Sequence, residues 1–153
     1  MQFLQDTFGV KYVVNTGEEG WKMKLGMICM KLKPLACLEC ISGDMTGTML
    51  DFMGFGSTLI LYGTLSEKPA GNINTIAFIG KNCKLEGYLL SVELAKMSLF
   101  QYMELVMKAE PLMKSDLSTV VQKTFGLHQI KEAIDFYQKN QTAGKVLLQP
   151  HLT

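Results

Sequence analysis

The 153-residue chain carries 15 basic and 14 acidic side chains, a formal charge of +1, and is 48% hydrophobic. That apolar content excludes an intrinsically disordered chain. With no charge block, the sequence offers no electrostatic footprint for nucleic acid or an anionic membrane. No apolar run reaches the roughly 18 residues a membrane span needs. Residues 1–8 have neither a basic segment leading into an apolar core nor the arginines of a transit peptide. The cytoplasm is the expected compartment, with the mitochondrion as the alternative. The length suits one domain of ordinary size.

In chain order, Lys11 to Val14 reads as a short strand. Thr16 and Glu19 then have capping-box spacing, and Trp21, Leu25, Ile28 and Leu32 recur at helical intervals up to Pro34. Leu35 to Cys40 is almost wholly apolar, as expected of a parallel strand covered on both faces. Asp44 is placed to cap the next helix, on which Met45, Met49 and Met53 share one face before Phe55-Gly56 ends it. Thr58 to Tyr62 is a second buried strand, and Ser66 to Asn74 reads as a loop. Lys84 to Leu90 is a third strand. A long helix is expected from Ser91 to the residue before Pro111. A strand at Thr119 to Lys123, a helix at Leu127 to Asn140 and a strand at Lys145 to Gln149 close the chain. On that last helix Leu127, Ile130, Ile134 and Tyr137 form the apolar face. Strands alternating with helices predict an α/β fold with parallel strands.

Metal and nucleophile chemistry find little support. Cys37 and Cys40 have C-x-x-C spacing, but residues three apart on a strand point to opposite faces, so no zinc site is expected. Cys29, Cys37, Cys40 and Cys83 read as ordinary thiols in a reducing compartment. His128 and His151 have no ligand or catalytic partners at suitable spacing. Ser42 is not in a nucleophile elbow, and no catalytic residue is assigned.

Four segments, taken in order, resemble the medium-chain dehydrogenase/reductase superfamily, in its quinone oxidoreductase and enoyl reductase branch. Phe8-Gly9-Val10-Lys11-Tyr12-Val13-Val14-Asn15 is similar to its third Rossmann strand, and Ala36-Cys37-Leu38-Glu39-Cys40-Ile41-Ser42-Gly43 to its fourth. Phe55-Gly56-Ser57-Thr58-Leu59-Ile60-Leu61-Tyr62-Gly63 is similar to its fifth. Leu127 to Ile134, followed by Thr142 to Leu148, is similar to its closing helix and strand.

The resemblance implies a partial Rossmann-type parallel sheet over residues 1–110. Residues 111–153 would then be the segment that returns to the GroES-like catalytic domain. It also implies an NAD(P)H-dependent oxidoreductase, with NADP as the family-level cofactor and no zinc. The nicotinamide half of the cleft would be lined by Cys40, Ile41, Ser42 and Gly43, by Tyr62, Gly63 and Thr64, and by Tyr88, Leu89 and Leu90. Glu39 would stand at the acidic position of the strand-end motif, in a structural role.

The glycine turn that seats the pyrophosphate on a helix N-terminus in this family has no match in these 153 residues; Gly54-x-Gly56 leads into a strand. Dinucleotide binding by this chain alone is therefore expected to be weak or absent. Two readings of function stand: a truncated reductase retaining part of its cleft, or a non-catalytic pseudoenzyme or accessory subunit. In the parent strand order 3-2-1-4-5-6, the three strands from Leu35 to Leu90 should pair as neighbours. Tyr12–Val14 should either lie beside Leu35–Cys40 or fray. The Lys84–Leu90 edge and the apolar C-terminal segment predict self-association, or binding to a full-length relative or a larger assembly.

Overall fold

The computed structural model describes residues 2–115, 117, 119–140 and 144–151. Met1, and Thr142 and Ala143 of the fourth matched segment, lie outside the described residues. The chain divides into two compact units, the first ending at Glu93 and the second starting at Leu94.

The first unit contains α1 (Gln2–Phe8), α2 (Trp21–Leu32), β1 (Ala36–Glu39), α3 (Asp44–Phe52), β2 (Thr58–Leu61), α4 (Ile76–Ile79) and β3 (Lys84–Gly87). Helix α5 (Leu90–Lys96) runs across the boundary. The sheet is parallel in the order β1-β2-β3, with Ala36 opposite Thr58 and Thr58 opposite Lys84. This is the pairing expected for strands 4, 5 and 6 of the doubly wound order. The core lies on one face of that sheet. Leu50, Met53, Leu59, Ala77 and Cys83 are buried there, with Cys37, Met49, Phe78 and Leu85 packed against them. Of the methionine face read for α3, Met49 and Met53 are thus part of the core.

Several local expectations are corrected. Lys11–Val14 is not a strand: residues 12–15 have no regular secondary structure and pair with no strand among the described residues, so of the two outcomes expected for Tyr12–Val14 the pairing beside β1 is not found. A segment with no neighbour has nowhere to place a ladder. The Thr16–Glu19 capping box does not form. Asn15 instead accepts from the Gly17 N–H (3.0 Å) and donates to Glu18 (3.2 Å), while Gly20 at φ 75° becomes the N-cap of α2. Helix α3 starts from Gly43 rather than from a side-chain cap by Asp44, and ends at Phe52 rather than Phe55-Gly56. Strand β1 is not covered on both faces: Leu38 is 71% exposed, because the core occupies only the opposite face.

The second unit contains α6 (Leu99–Lys114), β4 (Val121–Gly126), a 3-10 turn (Leu127–Gln129), α7 (Ile130–Lys139) and β5 (Lys145–Gln149). The single helix expected from Ser91 onward is two helices. Ser98 breaks it with a capping box: its hydroxyl accepts from the Gln101 N–H (3.3 Å), and the Gln101 side chain accepts from the Ser98 N–H (2.9 Å). Pro111 does not end α6 but sits inside its last turn and a half. Strand β4 begins two residues later than expected, with a register shift between Val121 and Lys123, and pairs in parallel with β5.

Helix α7 packs on this two-stranded sheet most closely through Ala133 and Phe136, while Ile130, Ile134 and Tyr137 of the stripe read from sequence share a groove with Val146 and Leu148. The Phe136 ring lies 5.7 Å from that of buried Phe125, and the Lys123 ammonium stands 4.7 and 5.1 Å from the two ring centres. Leu127, Ile130, Ile134 and Tyr137 are 42–52% exposed. The small Ala133 lets the helix approach the sheet closely, so that edge is buried and the larger side chains project to one side.

Candidate cofactor-binding site

The carboxyl ends of β1 and β2 are joined by a network that begins at one buried carboxylate. An apolar strand ending in Glu39 has to satisfy that charge or expel it. Glu39 is 4% exposed, and its Oε1 accepts from the Ile41 (2.5 Å) and Ser42 (2.8 Å) N–H groups. Its Oε2 accepts from the Thr46 hydroxyl at 2.7 Å, which ties the strand end to the first turn of α3. Three donors on one carboxylate bend the chain sharply. Ser42 takes φ 66°, and Gly43 follows at φ 62°, ψ −146°. A serine in the left-handed region costs about 1–3 kcal/mol and persists only where its surroundings over-determine it.

The segment after β2 lies against this turn. The Tyr62, Leu65 and Ser66 N–H groups donate to the carbonyls of Glu39 (2.9 Å), Cys40 (2.9 Å) and Ile41 (2.8 Å). The Ser42 hydroxyl donates to the Lys68 carbonyl (2.8 Å), and the Gly71 N–H to the Gly43 carbonyl (3.0 Å). Gly63 is where the two strand ends come closest: a Cβ there would stand 2.9 Å from the Cys40 carbonyl oxygen and 3.0 Å from the Cys40 Cβ. Only glycine fits without displacement.

Within this arrangement the ten residues expected to line a cofactor fall into two groups. Ser42 and Gly43 are buried beneath the 66–71 strap, and Cys40 and Gly63 are half-buried between the strand ends. Ile41, Tyr62, Thr64, Tyr88, Leu89 and Leu90 are exposed. Tyr88 continues the β3 line, its N–H donating to the Leu61 carbonyl at 2.9 Å. A hydrogen bond to the Cys40 thiol raises the Tyr62 phenol above its ordinary range, with smaller contributions from the charges of Cys40 and Glu39.

Three contributors were not singled out by the sequence reading. Thr46, fully buried, is the hydroxyl partner of Glu39. Gly47 faces the strap so closely that a Cβ would stand 2.1 Å from the Asn72 carbonyl oxygen. Ser66 sits over Gly43, its hydroxyl 3.1 Å from where a Gly43 Cβ would be. A glycine in mid-helix was the available signal for the second, since it costs a helix about 1 kcal/mol and usually marks a packing constraint.

Ile41, Tyr62, Tyr88, Leu89 and Leu90, at or just beyond the three strand ends, are aromatic and aliphatic side chains left exposed. The N–H groups of the β1 turn are already spent on Glu39, and the first turn of α3 carries Asp44. Among the described residues no three His, Cys, Asp or Glu side chains gather as a metal-ligand cluster. No helix there is long and apolar enough to cross a membrane.

No protein-family model matches the chain. A mitochondrial enoyl-[acyl-carrier-protein] reductase of Xenopus tropicalis is 36% identical over 56 residues, which cover 37% of this chain and 16% of that protein. Among solved structures, a protein assigned as an NADPH:quinone reductase from Mesorhizobium loti superposes with a TM-score of 0.78 at 17% identity, over 96% of this chain and 42% of its own. CurA from Vibrio vulnificus, solved in complex with NADPH, gives 0.70 at 16% identity, over 99% of this chain and 47% of its own. The chain thus spans less than half the length of these structures. Its fold is that of the matched portion of these solved structures, a parallel β1-β2-β3 sheet with flanking helices followed by the β4-α7-β5 unit.

Proposed function

We propose that these residues form the nicotinamide side of the cofactor cleft of an NADP(H)-dependent quinone or enoyl reductase. The observation that carries this reading is the alignment of three strand ends and their turns, at 40–43, 62–64 and 88–90, on the carboxyl side of one parallel sheet. Ligands of open α/β sheets sit on that side. Bound NADPH would supply the hydride. The chain's own part is to offer an apolar rim at Ile41, Tyr62, Tyr88, Leu89 and Leu90, with Glu39 holding the turn that sets Ile41 in place. The proposed compartment is the cytoplasm; the match to a mitochondrial enoyl reductase supports the mitochondrion as the alternative.

The second reading is a non-catalytic pseudoenzyme or accessory subunit, in which the strand ends are retained as scaffold. It is favoured by the burial of Ser42 and Gly43 beneath the strap. Calorimetric titration of the 153-residue chain with NADPH separates the readings from a complete site. Half a cleft should bind no tighter than about 1 mM, roughly 4 kcal/mol, and should give no saturable turnover with a quinone acceptor. Micromolar binding would overturn the half-cleft assignment. No chemical-shift change at Tyr62, Tyr88 or Leu89 with NADPH well above that concentration would favour the scaffold reading.

A further inference from the structure

The segment after β2 is fixed at both ends and lightly held between them. At the near end the Leu65 and Ser66 N–H groups donate to the carbonyls of Cys40 and Ile41, at 2.9 and 2.8 Å. At the far end the Gly71 and Asn72 carbonyls rest against Gly47 of α3, and Ile73 packs on the core. Residues 67–70 have neither anchor, and none of their side chains is buried. The strap is tied to the β1 turn by the bond from the Ser42 hydroxyl to the Lys68 carbonyl (2.8 Å) and that from the Gly71 N–H to the Gly43 carbonyl (3.0 Å). Glu67 at φ 56° and Asn72 at φ 52° bracket it in the left-handed region, which a residue with a side chain occupies only where its surroundings hold it there. A segment with little apolar burial and strained ends opens locally while the rest of the fold stays closed.

The two ties have a chemical pattern. One strap peptide offers a carbonyl to the Ser42 hydroxyl, and another offers an N–H to the Gly43 carbonyl. A primary carboxamide carries the same acceptor and donor on one planar group. We propose that residues 67–71 are an autoinhibitory lid, which satisfies Ser42 and Gly43 as a carboxamide would and has to lift before the carboxamide of a nicotinamide ring can take its place. This rests on the reading of residues 40–43 as part of a nicotinamide cleft, and adds how that cleft is closed.

With the lid down, Ser42 is 2% exposed and no ligand reaches its hydroxyl. With the lid raised, the turn beneath keeps its shape. Glu39 still accepts from the Ile41 and Ser42 N–H groups and the Thr46 hydroxyl, and the Gly43 carbonyl still accepts from the Thr46 N–H at 3.3 Å. The donor on Ser42 and the acceptor on Gly43 therefore stay on adjacent residues of a preformed turn. Every group in this contact lies between residues 39 and 73, so the lid closes within the first unit.

Hydrogen exchange of the full chain, followed amide by amide by NMR, tests the lid. Without ligand, the Gly71 amide should be at least about tenfold less protected than the Leu65 and Ser66 amides, because its bond breaks in local opening. Ser42→Ala removes one tie and should speed Gly71 exchange about twofold to tenfold, the range of one ordinary hydrogen bond, with Leu65 and Ser66 unchanged. NADPH at about 10 mM, above the affinity limit expected for half a cleft, should speed Gly71 exchange further and shift the Gly43 and Tyr62 resonances. The 3-acetylpyridine analogue of NADPH keeps the carbonyl acceptor but has no N–H donor, and should leave the Gly71 bond in place. Equal protection of Gly71, Leu65 and Ser66 in the free chain would overturn the proposal. An analogue that released Gly71 as well as NADPH does would overturn the carboxamide match. Shifts at Tyr62 and Tyr88 with Gly71 exchange unchanged would overturn the lid and leave the cleft reading standing. No shift at any of these residues would overturn both.

Discussion

Glu39 is the residue whose removal tests the site most directly. Glu39→Ala takes away the acceptor of three hydrogen bonds, two of whose donors, the Ser42 N–H and the Thr46 hydroxyl, belong to buried residues. The third donor belongs to exposed Ile41 and can turn to water. A buried donor left without a partner costs about 1–3 kcal/mol, so the variant should lose roughly 2–6 kcal/mol. The range is broad because water entering the space left by the side chain would recover part of the loss. Ser42 would also lose the bonds that hold it at positive φ, and relaxation of that strain works in the opposite direction. Glu39→Gln keeps one acceptor oxygen but turns an amide donor toward another donor, and should lose about 1–3 kcal/mol. Urea unfolding followed by circular dichroism measures both. If Glu39→Ala lies within about 0.5 kcal/mol of the parent chain, the ordinary range for surface changes, the carboxylate does not hold the turn and the site as described here is wrong.

Other perturbations probe the same network. Gly63→Ala forces a methyl group to 2.9 Å from the Cys40 carbonyl oxygen and should destabilise by about 1–3 kcal/mol, read as a lowered thermal midpoint. Gly47→Ala meets backbone at 2.1 Å and should be worse than Gly63→Ala; an unchanged midpoint would show that the strap does not lie against α3. Burial raises the Cys37 thiol first, and the charges of Glu39 and Cys29 raise it further. Its alkylation at pH 8 should be slower in the folded chain than in urea. Because the folded chain keeps that proton longer than the unfolded one, Cys37 makes stability fall as pH rises through the ordinary thiol range. Cys37→Ser should flatten that slope. In a spectrophotometric titration, Cys40→Ser should bring one tyrosine, Tyr62, back toward its ordinary range.

The strand pairing was legible because parallel strands joined by helices admit few arrangements, and short apolar runs bounded by turn residues mark each strand. What the sequence could not show is which face would be covered. Leu35 to Cys40 reads as a strand buried on both sides, yet Leu38 lies open while Glu39, the charged residue in the run, is buried. Hydrophobic pattern ranks Leu38 inward and Glu39 outward; the three donors supplied by the following turn reverse that order. Those donors come from residues two, three and seven positions on, so the reversal is local, but it needs the turn's conformation, which pattern does not encode. Ser98 was different: Ser-x-x-Gln is a legible helix start, obscured because the apolar pattern runs through it without a break. On α7 the periodicity was right, but it could not show that Ala133, the smallest apolar residue, marks the closest contact while Ile130, Ile134 and Tyr137 beside it stay half exposed.

The two units differ in how far each is held by its own residues. The cleft turns are held from within. Every hydrogen bond that shapes 39–43 comes from residues 39–71, and the glycine at 63 and the buried hydroxyl of Thr46 are in the same stretch. That stretch should therefore keep its geometry in this chain by itself. The second unit is in the opposite position. Its sheet has two strands, α6 has no buried residue, and the larger apolar side chains of α7 are open. Isolated residues 1–93 should accordingly unfold cooperatively in denaturant, while residues 94–153, with so little buried, should lack a cooperative transition. Equally sharp transitions for both pieces would show that the small sheet is self-sufficient and would refute this reasoning.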